Sequence, residues 1–239
     1  MEKLSIFIDT ERERFVRGKH SNLFAFSFSQ IVRYHEFLKI ISTRYEKASM
    51  EFIANTKALQ KIILPGKSFM SEDQLKLSAE GEKLNTILHL EIESFYLFAK
   101  ILLDKVARAT EFYFGQARGL SLDSHDDMSK NFEPYIKTKG LTILSDELKR
   151  LISQLKKDIS DYRDKQIAHE KSPRTIKGTM FKLDTGESQI INIKLYPTEK
   201  DQQFESKEIK QMIWLLEQYI CEMVDYISLN RDKTNLELV

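Results

Sequence analysis

A chain of 239 residues buries a real core and suits one large domain with appendages better than two independent ones. Eight Gly and four Pro argue against a sheet-rich fold, and 31% charged beside 41% hydrophobic residues describe a helical protein whose charged faces meet water. The single cysteine, Cys221, excludes an internal disulfide and reads as a small core residue of a cytoplasmic protein, while a net charge of +1 excludes the bulk basic excess of a constitutive nucleic-acid binder.

The amino-terminal stretch Leu4 to Ile8 is short, apolar and soon interrupted by Asp9, so it is expected to be neither a signal peptide nor an anchor. The longest uncharged run, Ser21 to Val32, is too short to span a membrane. From about Asn22 to Ile63 the positions Phe24, Phe28, Ile31, Leu38, Ile41, Tyr45 and Phe52 recur at mostly three or four residues and predict one long helix ending before Pro65-Gly66. Phe24, Phe26 and Phe28 also alternate as in a strand, but no turn signal separates them from the helical run.

Ser71 to Gln74 reads as a capping box, in which the serine oxygen accepts first-turn amides and Gln74 reaches back. A second long helix runs from it to Phe114, with Gly115 as C-cap and Gly81 marking a bend or boundary. Gly115 to Gly140 is the least periodic stretch. Its patch Asp123-Ser124-His125-Asp126-Asp127 is read as loop acids before a helix capped by Ser124 rather than as a metal site.

Ser145 caps the next helix, whose buried face is Leu148, Leu151, Ile152, Leu155, Ile159 and Tyr162, and Pro173 stops it. Residues 175–196 then read as a β-hairpin turning at Asp184 to Glu187. A last helix from about Ser206 to Leu229 carries Ile209, Ile213, Leu216, Ile220, Met223 and Ile227 on one face, with Trp214 and Tyr219 as core or interface aromatics. The expected fold is mainly all-α, an up-and-down bundle of four to five long helices with a small β-hairpin before the last. Residues 1–80 form a helical region packed on the bundle, 81–230 the main domain and 231–239 a flexible tail.

Chemistry concentrates in Tyr162-Arg163-Asp164-Lys165-Gln166-Ile167-Ala168-His169. An arginine to hold phosphate and a histidine six residues on to move protons are two of the parts that metal-free RNA cleavage needs. On a continued α-helix the two would stand some 120° apart and ~9 Å along the axis, a loose grip that a two-fold copy of the same helix would complete. One histidine would then take the proton of a ribose 2′-hydroxyl and the other protonate the leaving 5′-oxygen. The surroundings are basic: residues 136–182 hold 12 Lys or Arg against 6 Asp or Glu, a local +6 in a chain of net +1. The plainer reading is a packed histidine at a helix end and an arginine paired with Asp158 or Glu170 on the surface.

Arg163-Asp164 followed by His169, at the end of a long helix of an all-α bundle, resembles the signature of the HEPN superfamily. The wider string, with a hairpin and a closing helix after it, is most similar to the abortive-infection branch. The resemblance implies a homodimer with the Arg163/His169 helix at its interface, metal-independent endoribonuclease activity on RNA, and a role as a toxin or phage-defence effector with an antitoxin or other regulatory partner. Arg163, Asp164 and His169 would be the catalytic residues, and Lys165, Lys171 and Arg174 would contact substrate. Asp164 departs from the asparagine often found there and needs a neutralising cation, which Lys165 would supply. Lys171 stands where related toxins carry a tyrosine that is modified. Glu91 and Glu93 loosely match acids that face the site in some members.

There is no Gly-rich phosphate loop, no His-Glu-x-x-His, no cysteine pair and no Gly-x-Ser-x-Gly, so no cofactor and no metal is expected. His20, His35, His89 and His125 lack ligand spacing and read as surface or satisfied core residues. The rival functions are the same fold holding RNA, nucleotide or a protein partner without cleavage, and a structural helical oligomer.

Overall fold

The computed structural model describes residues 1–62, 70–168, 174–182, 188–197 and 206–239. The fold is mainly α-helical, with six α-helices and one two-stranded sheet among the described residues. In chain order these are α1 (Glu2–Arg12), α2 (His20–Ile62), α3 (Glu72–Phe114), α4 (His125–Lys139), α5 (Asp146–Leu155), β1 (Arg174–Lys182), β2 (Ser188–Pro197) and α6 (Ile209–Leu229). No described helix is long and apolar enough to cross a membrane.

Two 43-residue helices make the frame. Asn55 reaches Leu77, Arg44 reaches Glu91, Phe37 meets Phe98 and Phe24 meets Tyr113, so numbers fall along α2 as they rise along α3 and the pair is antiparallel. Their apolar rows explain why both are helical. Phe24, Phe28, Ile31, Leu38 and Ile41 are buried on α2 against Leu88, Ile92, Phe95, Ala99, Leu102 and Val106 on α3. Phe26 lies on the solvent side, as a 3.6-residue period and not a strand's alternation requires.

Both bonds of the Ser71/Gln74 capping box are present: the Ser71 oxygen accepts the Gln74 N–H, and the Gln74 side chain accepts the Ser71 N–H. Gly81, expected at a bend or boundary, lies inside an unbroken α3. A Cβ there would sit 3.0 Å from Asn55 Oδ1, so the glycine serves the close approach of α2.

Helix α1, which the sequence reading did not separate out, lays Leu4, Phe7 and Ile8 on the frame. Phe7, Phe15, Phe24, Phe28 and Tyr113 meet there edge-on or tilted, an arrangement aromatic rings favour. Residues 231–239, expected as a flexible tail, are bonded into the body. Asn235 N–H donates to Tyr113 C=O, Val16 N–H to Glu237 C=O and Val239 N–H to Arg14 C=O, while Leu236 is buried.

The Gly115 to Gly140 stretch is largely helical. The Ser124 hydroxyl accepts the Asp127 N–H to open α4, and Gly140, in the left-handed region at φ 63°, closes it in a Schellman arrangement with Leu141 N–H on Ile136 C=O. Ser145 caps α5 through the Leu148 N–H. The hairpin pairs Arg174 with Pro197 through Lys182 with Ser188, one residue wider at each end than 175–196, with an irregularity at Gly178/Thr179. Tyr45 O–H donates to Ile193 C=O at 2.6 Å and Leu195 N–H to Ser206 Oγ at 3.0 Å, which fasten the hairpin to α2 and to the lead-in of α6.

Candidate functional site

Beyond Leu155 the chain keeps winding but changes pitch: Lys156–Asp161 and Arg163–Ala168 are π-helical turns. Such turns are uncommon and often stand at functional sites, because the wider ring of an i→i+5 bond shifts every side chain after it. Each residue advances by less than the 100° of an α-helix, so the 120° projected between Arg163 and His169 does not apply. His169 and Lys171 lie outside the described residues, as does Glu170. Arg174 opens β1 opposite Pro197.

What holds the π segment is packing. Ile159, Ser160 and Tyr162 are buried, and the Tyr162 ring stacks on Tyr96 of α3 at 4.3 Å between centroids. The Tyr96 hydroxyl accepts the Lys207 N–H at 2.7 Å, so one residue of α3 ties the motif helix to the entrance of α6. Tyr96 is a site residue beyond those expected from the sequence. Its signal was a tyrosine among the buried positions Ile92, Phe95, Ala99 and Leu103, where the hydroxyl needs a partner.

Arg163 and Asp164 are brought together and form a 2.6 Å ion pair, with both side chains near 40% exposed (37% and 41%). The expected neutralisation of Asp164 by Lys165 is not what forms. Lys165 pairs with Asp161 at 3.3 Å, and Asp161 also lies 3.8 Å from Lys156. Of the plainer expectation, Arg163 paired with Asp158 or Glu170, the first is not found among the described residues and Glu170 lies outside them. The Arg163 Nε has no partner among the described residues. Glu91 is buried and bound to Arg44 of α2 at 2.6 Å, so its carboxylate is engaged on the α2 side of α3 and not with Arg163. Glu93 is half-buried on α3.

A cleft of about 420 Å3 lies between α4 and α5 on the approach to the π turns. Phe132 and Ile152 form its apolar part, and Lys130, Lys149 and Lys156 stand around it, with Lys149 held by Glu133 at 3.1 Å. The cleft is apolar beneath and mainly basic at the rim, with Glu133 the acid among the lysines.

The acidic patch has other uses than a metal. The Ser124 hydroxyl donates to Asp127, and Lys100 bonds both Asp104 and Asp126 at 2.9 and 3.0 Å. His125 departs from expectation. It is fully buried edge-on to Tyr219, neither ring nitrogen has a hydrogen-bond partner among the described residues, and burial pushes its pKa down to about 3. His35 is also buried but bonded, Nε2 to Glu217 at 2.8 Å, and burial still lowers its pKa against that carboxylate's pull. Comparison of the chain with known protein families, with curated proteins and with solved structures finds no match.

Proposed function

We propose that the chain is a metal-independent endoribonuclease of HEPN type, in which Arg163 steadies the scissile phosphate and His169 moves the proton. The observation that carries this reading is the placement of Arg163. It is half-exposed on a π turn anchored through Tyr162 and Tyr96, and within the described residues its guanidinium has only the carboxylate next to it in the chain. A phosphate arriving there competes with one flexible carboxylate, and the guanidinium presents two donors at once. Lys130, Lys149 and Lys156 stand around the neighbouring cleft, and with Glu133 and Asp161 beside the last two they leave a small positive excess for an RNA backbone to follow. His169 enters through its spacing from Arg163 in the sequence. A second copy pairing this edge with its own would bring two arginines and two histidines to one phosphate, and a toxin or phage-defence role with a regulatory partner follows from the same resemblance.

The Arg163–Asp164 pair also favours a second reading, an inactive module that binds RNA, because a carboxylate at 2.6 Å weakens the cation during catalysis more than during docking. The experiment is incubation of RNA with purified protein in EDTA, wild type beside His169→Ala, with helicity checked by circular dichroism. Cleavage by wild type alone supports the nuclease. RNA binding that falls with Arg163→Ala but shows no cleavage in either protein replaces it with the binding module.

A further inference from the structure

Helix α3 carries a second pattern, on the side facing away from Tyr96. Ile87, Leu90, Ser94, Leu97 and Ile101 follow one another by three, four, three and four residues, the spacing of a helix–helix seam. All four large ones keep apolar surface open to solvent: Ile87 is 42%, Leu90 55%, Leu97 38% and Ile101 36% exposed. Beside Ser94, on α2, Ile40 is 55% exposed, and Phe37 and Phe98 floor the shallow groove between them, with the Arg44–Glu91 ion pair in its wall. A run of this kind on a helix otherwise well packed marks an interaction surface.

The order of the residues says what covers it. Read from either end the stripe is Ile, Leu, Ser, Leu, Ile, with the small serine at its centre. An antiparallel copy related by a two-fold axis beside Ser94 would set Ile87 against Ile101, Leu90 against Leu97 and serine against serine, large groups toward large and the close approach at the small residue. At the ends Glu80 falls opposite Arg108 of the second copy, once at each end, while Lys83 falls opposite Lys105, a like pair that stands at the solvated rim; Asp104 is taken by Lys100 and the His125 N–H. From residue 80 to residue 108 the face is about 42 Å long, and with α2 beside it about 20 Å wide, room for the ~800 Å2 per partner of a standard interface.

We infer that this face of α3 is the contact between two copies of the chain, an antiparallel four-helix arrangement of two α2/α3 hairpins centred on Ser94. It is distinct from the edge carrying Arg163, because the Tyr162 ring stacks on Tyr96, nearly opposite the stripe around α3. The inference therefore stands whether or not the protein cleaves RNA.

The test is sedimentation of the full chain at tens of micromolar, wild type beside Leu90→Lys, Leu97→Lys and Ile143→Lys, the last an exposed position away from the stripe. A wild-type dimer whose dissociation constant rises at least tenfold in the two α3 variants, but not with Ile143→Lys, is expected. Cysteine cross-linking in a Cys221→Ser background fixes the register. Ser94→Cys should form a disulfide-linked dimer, whereas Ile101→Cys should not, its copies standing about 21 Å apart along the axis and beyond the ~7 Å reach of a disulfide. A monomer at these concentrations overturns the inference. So does a dimer that both α3 lysines leave intact, including one broken by substitution of Arg163, and so does cross-linking through Ile101→Cys as readily as through Ser94→Cys.

Discussion

Acid should unfold this protein through His125 earlier than its carboxylates would. The imidazole is buried against Tyr219, and burial, assisted by the cations of Lys100 and Lys156 and opposed by Asp126, brings its pKa from the ordinary 6.5 to about 3. Asp104 does not reverse this, since it accepts the His125 main-chain N–H while held by Lys100. Between these two values the unfolded chain binds a proton that the folded one refuses, so stability falls as pH drops through 6.5 and the loss levels off near 3. At about 1.4 kcal/mol per pH unit, the histidine removes about 2 kcal/mol by pH 5 and on the order of 3 kcal/mol by pH 4. That is a large part of the ~5–15 kcal/mol available to a folded chain. Urea unfolding at pH 7.5, 6, 5 and 4 measures it, with His125→Phe as the reference, because phenylalanine keeps a ring edge-on to Tyr219 and does not titrate. Carboxylates titrate in both proteins and cancel in the difference. The gap between wild type and variant should shift in the variant's favour by about 1.4 kcal/mol per pH unit below 6.5. Parallel stability curves would refute the reasoning.

Changes at two further positions probe the frame that holds the site. Tyr96→Phe keeps the stack on Tyr162 but leaves the Lys207 N–H without its acceptor, and should cost about 1 kcal/mol by urea unfolding, whereas Tyr96→Ala should raise amide exchange through 156–168. Unchanged protection in the alanine variant would mean that the π turns hold themselves. Gly115→Ala places a Cβ 2.7 Å from Asn235 Cγ at φ 79°. It should lose about 1–3 kcal/mol and loosen the 235–239 bonds, seen as a lower melting temperature and faster amide exchange there. A melt within a degree of wild type would count against the tail's role.

Much of the fold could be read from local pattern, because local physics decides it. The Ser71/Gln74 box, the Ser124 and Ser145 caps and the stop at Gly115 are bonds between residues at most four apart, so their spacing alone announces them. The long periods of α2, α3 and α6 are legible for a related reason: a buried stripe repeated over many turns has few alternative explanations. Short or interrupted stripes were less so. Helix α1 buries only Leu4, Phe7, Ile8 and Glu11, and α4 contains Pro134, so neither stands out from its neighbours.

The candidate site divides the same way. That Arg163, Asp164 and Lys165 belong together is visible in the string itself. Which carboxylate takes which cation is not, because each cation has several carboxylates within five residues: Lys165 takes Asp161 at an ordinary i,i+4 spacing and Arg163 takes Asp164, on π turns that stand where Tyr162 meets Tyr96, a residue 66 positions away in the chain. His125 reads on paper as one more polar residue at a helix start, yet it is sealed in by Tyr219 of α6. Of the two places expected for Trp214, core or interface, its exposure on that same helix excludes the core. The sequence by itself determined what neighbours along the chain decide: helix lengths, caps and the order of elements. Only the tertiary structure decided how the motif helix and His125 are packed, since the rings that bury them, Tyr96 and Tyr219, are supplied by distant helices.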